Sequence, residues 1–360
     1  MLTAEGCRER RRRLLEAFQP REPLVLADPI HLRYLANFHV DPFSLGADFG
    51  GFLILAPDGQ TTLIHDNRLP ASVKEAHVDT VEVVPWYDGQ SPGKGVRRLV
   101  LRDAVFGSRP ARIHDSLADP DAPRLLTLIG EMRRSKDEDE MAVLRECMRA
   151  GEVGQHWALL NIEPGMTELQ AYTGISQACS QAVGQAVILY GDFAVSPGPA
   201  KRGGAATQRV LEPGDMLILD FSVVRFGYRS DFTNTLVIGK QPTLDQFRLH
   251  DACVKAMVRG ELELKPGASC QAVYDAVHAA FASEGLGDAF PHHAGHGLGL
   301  SHPESPYLVR HSTETLVEND VVTLEPGVYV EGIGGIRIEH NYRVTPMGFE
   351  QLSKHSTSMI

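Results

Sequence analysis

The stretch from Asp215 to Gly239 constrains the fold of this chain more than any other. Two apolar runs flank a turn signal, Arg225-Phe226-Gly227, so the spacing predicts a β-hairpin. Each arm carries one aspartate, Asp220 and Asp231, inside an apolar context where a buried strand has no structural use for one. A buried charge must be paired or bind a metal. A turn centred on Arg225-Phe226 would set the two carboxylates directly opposite each other, and a bulge at Gly227 would shift them by one position. In either register they converge. Two solvent-facing aspartates on an edge strand are the alternative.

A chain of 360 residues exceeds the usual single-core size, which predicts two domains, 1–130 and 131–360. Hydrophobic residues at 43% suffice to fill two cores. No apolar run approaches the roughly 20 residues that span a bilayer. The first residues are polar and highly charged, unlike a secretory signal, and the expectation is a cytoplasmic protein. A net charge of −11 argues against a nucleic-acid binder, whose affinity rests largely on phosphate neutralisation. Arg8 and Arg10 to Arg13 cluster in an apparent helix whose apolar side carries Leu14, Leu15 and Phe18, and read as a solvated face. Five scattered cysteines with no C-x-x-C pair read as reduced thiols.

Residues 1 to about 130 alternate strand-like and helix-like segments. Leu24 to Leu26, Gly51 to Leu55, Thr61 to His65, Val81 to Pro85 and Val105-Phe106 are the candidate strands of a mixed sheet. No phosphate-binding loop follows any of them. Asn37 to Gly51 is a long Gly-, Asp- and aromatic-rich segment, of a length that is often functional. The second domain opens at Ser135-Lys136-Asp137-Glu138, which reads as a capping box. The acidic run Asp137 to Glu140 suits the positive end of the helix that follows and needs no partner. Two later stretches resemble each other, each placing a Pro-Gly turn before a capped helix, with Pro164 and Pro266 separated by 102 residues. They predict an internally duplicated α+β domain with a site drawn from both halves.

The second half holds His296 in the glycine-rich string His292-His293-Ala294-Gly295-His296-Gly297-Leu298-Gly299. Glu325 and Glu339 each lie in an apolar strand context, with Gly332 to Gly335 as a turn between them, predicting a second hairpin with an acid on each arm. Four carboxylates and one imidazole crowded in low dielectric repel unless a cation neutralises them. Two divalent ions would do so. Such an oxygen-rich site suits Mn2+, Co2+ or Zn2+ better than a thiolate site would.

The order Asp220, Asp231, His296, Glu325, Glu339, with the strings LILDFSVVRFGYRSDFTNT, GHGLGL, LEPGVY and GIRIEH, resembles the pita-bread dinuclear metallopeptidases, prolidase and aminopeptidase P. Residues 135 to 353 resemble their catalytic domain, and the stretch Arg33 to Phe38 resembles the smaller creatinase-type N-terminal α/β domain. The resemblance implies that Asp231 and Glu339 share two divalent ions, manganese first among the candidates, with Asp220 on one and His296 and Glu325 on the other. It also implies a metal-bridging hydroxide nucleophile and Glu325 as proton shuttle. His292, four residues before His296, matches a substrate-facing histidine of the family. Arg337, on the same strand face as Glu339, would orient a carboxylate ligand and contact substrate.

The chain departs from the family in three places. After GHGLGL the string Ser301-His302-Pro303-Glu304 puts proline where the family histidine aligns, leaving His302 one residue early as the catalytic histidine. Thr233-Asn234-Thr235 replaces the common Thr-Arg-Thr and removes a cation near the site. The run Lys201 to Ala206 lacks a histidine the family often has there. The resemblance implies a metal-dependent Xaa-Pro dipeptidase acting on short proline-containing peptides as a homodimer. Arg202 and the 37–51 loop are this chain's own candidates for a cap over the substrate's end. An Xaa-Pro aminopeptidase on longer peptides is the first alternative. A non-peptidase hydrolase or lyase, or a binding protein on the same fold, are the others.

Overall fold

The computed structural model describes residues 1–44, 50–68 and 73–360. Part of the 37–51 segment therefore lies outside the described residues. The chain divides into two compact units, Met1–Arg133 with Asp137–Glu140, and Arg134–Lys136 with Met141–Ile360.

In the first unit α1 (Ala4–Phe18) starts where the Thr3 side chain accepts from the Gly6 amide. Strand β1 (Leu24–Leu26) leads into α2 (Pro29–Ala36), which is capped by Asp28 and begins with proline at its first turn. Strands β2 (Gly51–Leu55), β3 (Thr61–Asp66) and β4 (Thr80–Val84) complete a sheet ordered β1-β2-β3-β4. The first three strands are antiparallel and β4 runs parallel to β3, the mixed sheet expected. Helices α3 (Arg97–Phe106) and α4 (Ala122–Met132) follow. Val105 and Phe106 were expected as a strand but form the last turn of α3. Their apolarity serves a helix face, since Leu101 and Phe106 pack into the core of Val25, Phe52 and Ile64.

The basic cluster also departs from expectation. Arg10 is fully buried and Arg11 nearly so. The Arg10 guanidinium donates to Asp137 at 3.0 Å, to Asp139 at 2.8 Å and to the Tyr34 carbonyl at 2.8 Å. Arg11 donates to the carbonyls of Leu35 and His77. The acidic run that seemed to need no partner is thus the counter-charge of α1, and each buried cation is satisfied as burial requires.

Helix α5 (Glu138–Asn161) begins with Asp137 rather than Ser135 in the capping role, as the Asp137 amide donates to Glu140 Oε2 at 3.0 Å. In the second unit α6 (Glu168–Val183) is closed by a capping box of Thr167 and Gln170. Strands β5 (Ile188–Val195), β6 (Met216–Arg225), β7 (Tyr228–Arg229) and β8 (Phe232–Val237) form one sheet with β6 between β5 and β8. Then come α7 (Leu244–Glu261) and α8 (Cys270–Ser283). Strands β9 (Gly295–Gly297), β10 (Glu304–Leu308), β11 (Val321–Leu324), β12 (Gly327–Val330), β13 (Gly334–Arg337), β14 (His340–Thr345) and β15 (Gly348–Gln351) make the remaining sheets.

The duplication read from the sequence is visible in these elements. Thr167 and Ser269 precede α6 and α8 as N-caps, and each makes an isolated antiparallel bridge, to Val210 and to Thr315. Each half has its own core. One centres on Ile175, Leu217, Leu219 and Phe221, the other on Cys253, Val277, Phe281 and Leu324. All five cysteines are free and buried, and no helix among the described residues is long and apolar enough to cross a membrane.

Candidate metal centre

The first hairpin turns at Phe226-Gly227, both at positive φ (51° and 83°), as a two-residue turn needs for its twist to match the strands. Arg225 pairs with Tyr228 and Asp220 with Thr233 in one continuous register. The turn therefore lies one residue later than Arg225-Phe226, and Asp231 falls opposite Ser222 rather than Asp220. Residues 220 and 222 share a face of the strand, so the carboxylates still converge, diagonally. The Ser222 hydroxyl donates to Asp231 Oδ1 at 3.3 Å.

The second hairpin is longer than expected and is shared between two sheets. Pairs Val321↔Arg343 to Leu324↔His340 and pairs Gly327↔Arg337 to Val330↔Gly334 keep a single register. Glu325 and Glu339 occupy the gap between these ladders, opposite each other, where the backbone leaves one sheet for the other. The Glu339 amide donates to the Thr233 carbonyl at 3.0 Å, which sets this hairpin against the first. His296 sits in β9 between glycines that allow the close strand approach. A Cβ at Gly295 would lie 2.0 Å from the Thr323 oxygen, and one at Gly297 would lie 2.2 Å from the Ser305 oxygen. His296 Nδ1 lies 2.9 Å from its neighbour's carbonyl at Gly297. Donation there leaves the Nε2 lone pair facing Asp231 Oδ2 at 3.6 Å and Glu325 Oε1 at 3.5 Å.

Ligand-type atoms of Asp220, Asp231 and Glu339 lie within 4.8 Å of one another, and so do those of Asp231, His296 and His302. Asp231 belongs to both groups. Burial pushes the Asp220 carboxyl up to about 6, with Asp231 and Asp192 adding to the rise against the pull of Arg337. Glu325 and Glu339 are raised well above the usual carboxylate range, first by burial and then by the neighbouring acids. For Asp231 burial is the largest single influence and raises the carboxyl, but the hydrogen bond and charge of His302, with His296 and Ser222, together outweigh it and the carboxyl is lowered. Glu339 Oε2 accepts from Thr233 Oγ1 at 2.6 Å, while its Oε1 is buried without a hydrogen-bond partner. Crowded acids, an orphaned carboxylate oxygen and a free imidazole lone pair are what a pair of divalent cations would satisfy.

Residues around this centre form a cavity of about 540 Å³ whose walls include Tyr190, Asp192, Arg202, His292, His302 and Tyr329. His302 Nε2 lies 2.7 Å from Asp231 Oδ2, so the imidazole one residue early reaches the site. Its loop is held by a buried pair, Lys136 Nζ to Glu304 Oε1 at 2.7 Å. His292 Nδ1 faces its neighbour's carbonyl at 2.8 Å and Nε2 faces the Tyr329 hydroxyl at 3.2 Å. Burial, then Arg337, pushes the His292 imidazole down to about 3, leaving it neutral.

Arg337 has its donors engaged. Nε and Nη2 bond Asp220 Oδ2 at 2.8 and 2.6 Å, Nη2 bonds Asp192 Oδ2 at 2.7 Å, and Nη1 bonds the Tyr329 hydroxyl at 2.6 Å. It orients a carboxylate of the centre. Asn234 faces away from the cavity, and this corrects the expectation that its exchange for arginine removes a cation near the site. Its Nδ2 donates to the Ser358 carbonyl at 2.7 Å, while its neighbours Thr233 and Thr235 point to Glu339 and Arg337. Asp192, Tyr329 and His293 escaped the sequence reading. The signal for Asp192 was register, since it pairs directly with Asp220 across β5 and β6. His293 Nδ1 lies 3.3 Å from Glu325 Oε1, out of line for a hydrogen bond.

Residues 142–346 match metallopeptidase family M24. The chain belongs to metallopeptidase family M24. The M24 segment contains all five converging residues and both hairpins. An uncharacterised peptidase of Staphylococcus aureus (strain USA300) is 28% identical over 341 residues, covering 92% of this chain and 94% of that one. Dipeptidase PepE from Mycobacterium ulcerans is 26% identical, with a TM-score of 0.75 over 99% of this chain and 98% of that one. The prolidase from Pyrococcus horikoshii OT3, at 22% identity, shares the fold with a TM-score of 0.77 over 98% of this chain and 100% of that one. The fold is the pita-bread fold of M24 preceded by a smaller N-terminal α/β unit, as the motifs implied.

Two consequences for stability follow from this geometry. Lys136→Met removes the counter-ion of a buried carboxylate and is expected to cost about 3–5 kcal/mol, read from urea denaturation. The double change Lys136→Met with Glu304→Leu should recover most of it, and an unchanged midpoint for the single variant would contradict the pairing. Because the Asp220 pKa is raised to about 6, its contribution to metal-free stability is whole below about pH 4 and is lost as pH rises through about 6. A divalent cation held by Asp220 would offset that loss and bind more strongly as protons leave. The rise in melting temperature on adding Mn2+ to EDTA-treated protein should therefore be larger at about pH 8 than at about pH 5, and an equal rise at both would count against it.

Proposed function

We propose that this M24 chain is a metal-dependent Xaa-Pro dipeptidase that hydrolyses the peptide bond before a C-terminal proline and takes two divalent ions, Mn2+ first among them. The observation that supports it is the convergence of the buried Asp231, Glu325 and Glu339, the half-buried Asp220 and His296 on one centre, with a Glu339 oxygen left without a partner. In this reading Asp220, Asp231, His296, Glu325 and Glu339 would hold the ions, with Asp231 and Glu339 shared between them. When bound, the ions supply Lewis acidity toward the scissile carbonyl and acidify a water nucleophile.

The chain's own groups do the rest. Glu325 takes the proton that the acidified water gives up and passes it to the departing nitrogen. The nitrogen before proline is a tertiary amide and must be protonated to leave. His302 lines the cavity with its Nε2 2.7 Å from Asp231 Oδ2, placed to donate toward the carbonyl oxygen as negative charge develops there. His292 and Tyr329 form the wall against which the substrate rests. Arg337 holds Asp220 and Tyr329 in place through 2.6 Å bonds.

The test is hydrolysis of Ala-Pro and Leu-Pro, of Ala-Pro-Ala and of Ala-Ala across a Mn2+ titration. Cleavage of the two proline dipeptides alone, lost on chelation, is the expected result. Cleavage of the tripeptide instead would replace this reading with an Xaa-Pro aminopeptidase. No cleavage of any of them with metal bound would point to a non-peptidase hydrolase or lyase, or to a binding protein. We further take the chain to be cytoplasmic and, on the family resemblance, to act as a homodimer. Light scattering at micromolar concentration reads the assembly state, with a monomer counting against it.

A further inference from the structure

We infer that Arg202 takes the terminal carboxylate of the ligand, so that the cavity selects short molecules ending in a free carboxylate; as a statement about substrate this rests on the dipeptidase reading. After β5 the chain folds back over its own strand. The Phe193 amide donates to the Gly204 carbonyl at 2.7 Å, the Ser196 hydroxyl to the Lys201 carbonyl at 2.7 Å, and the Lys201 amide to the Gly198 carbonyl at 3.2 Å. Gly203 (φ 130°) is pressed onto Asp192, where a Cβ would sit 2.3 Å from the carboxylate oxygen. The Arg202 carbonyl accepts from Arg337 Nη1 at 3.3 Å. The backbone at 202 is thereby tied to the same arginine that holds Asp220.

From this anchored backbone the Arg202 side chain is exposed and lines the cavity, its guanidinium carbon 5.8 Å from the centroid of the Tyr329 ring. A cation over that face is held by the ring while its donors remain open. Arg337, the other arginine of the cavity wall, is bonded to Asp192 and Asp220. Among the described residues no carboxylate lies within ion-pair distance of the Arg202 guanidinium, although the cavity wall carries Asp192, Asp220, Asp231 and Glu325. An arginine fork matches a carboxylate with two parallel hydrogen bonds. From Arg202 the path runs through Tyr329, whose hydroxyl meets Arg337, to Asp220 at the metal centre. A cavity of about 540 Å³ suits a dipeptide, and a chain continuing past proline would bring an uncharged amide to the guanidinium.

The experiment compares Ala-Pro with its C-terminal amide on Mn2+-loaded wild type, Arg202→Ala and Arg202→Lys, with melting curves to check folding. Wild type should prefer the acid in kcat/KM, mainly through KM, by roughly 10–100-fold. Arg202→Ala should bring that ratio close to one and Arg202→Lys should retain part of it. A ratio that survives in Arg202→Ala, or is absent from wild type, overturns the assignment. If wild type cleaves neither compound, the dipeptidase reading fails by itself. The clamp is then read by calorimetric binding of N-acetylproline against N-acetylprolinamide, where an acid preference lost in Arg202→Ala supports it and equal binding in wild type overturns it.

Discussion

Asp231→Asn is expected to lower kcat/KM for a proline dipeptide by at least about a thousandfold, well beyond the roughly 10–100-fold that losing a supporting bond around a metal costs. The reason is position. Asp231 belongs to both groups of converging ligand atoms, so the change weakens both halves of the centre at once. It also releases His302, whose Nε2 lies 2.7 Å from the same carboxylate. The amide has nearly the same size and the Ser222 contact is preserved in kind, so the fold should persist, with the far-ultraviolet spectrum unchanged. Steady-state kinetics over a Mn2+ titration checks it, and activity within tenfold of wild type at saturating metal would contradict the assignment of Asp231.

Glu325→Gln separates proton transfer from ligation. Glutamine retains an oxygen donor but holds no transferable proton, so kcat should fall about 10²- to 10⁴-fold while KM changes little. The carboxyl it replaces is pushed well up by burial and by the charges of Asp220 and Asp231. Single-turnover rates and metal content measured on the same preparation distinguish the causes. Lost metal with lost activity would assign Glu325 to ligation alone, and retained kcat would remove it from the chemistry.

Much of the centre was legible because strands bury alternate residues, and an acid in an apolar strand stands out. Asp220, Asp231, Glu325 and Glu339 were all visible in that way, and His296 was marked by the glycines on either side. Asp192 was not, since it is partly exposed in a strand of ordinary alternation and acquires meaning only through its pairing with Asp220 and its bond to Arg337. The face of Asn234 was hidden for a related reason. A polar triplet inside a strand does not say which of its members points inward until the pairing with β6 is known, and here the threonines do. Arg10 was misread because its partners, Asp137 and Asp139, lie 127 and 129 residues away. Local charge patterning reports neighbours along a helix, and such long-range pairing lies beyond it. Val105 and Phe106 illustrate the ambiguity of short apolar runs, which serve a helix face as readily as a strand.

The central claim is a two-ion centre built from five side chains. Its most direct test is equilibrium Mn2+ binding to chelator-stripped protein, with the stoichiometry confirmed by elemental analysis. The account predicts two ions per wild-type chain and fewer than two in Asp231→Asn and in Glu339→Gln. Binding of one ion or none by the intact chain, or two by the Asp231→Asn variant, would contradict it.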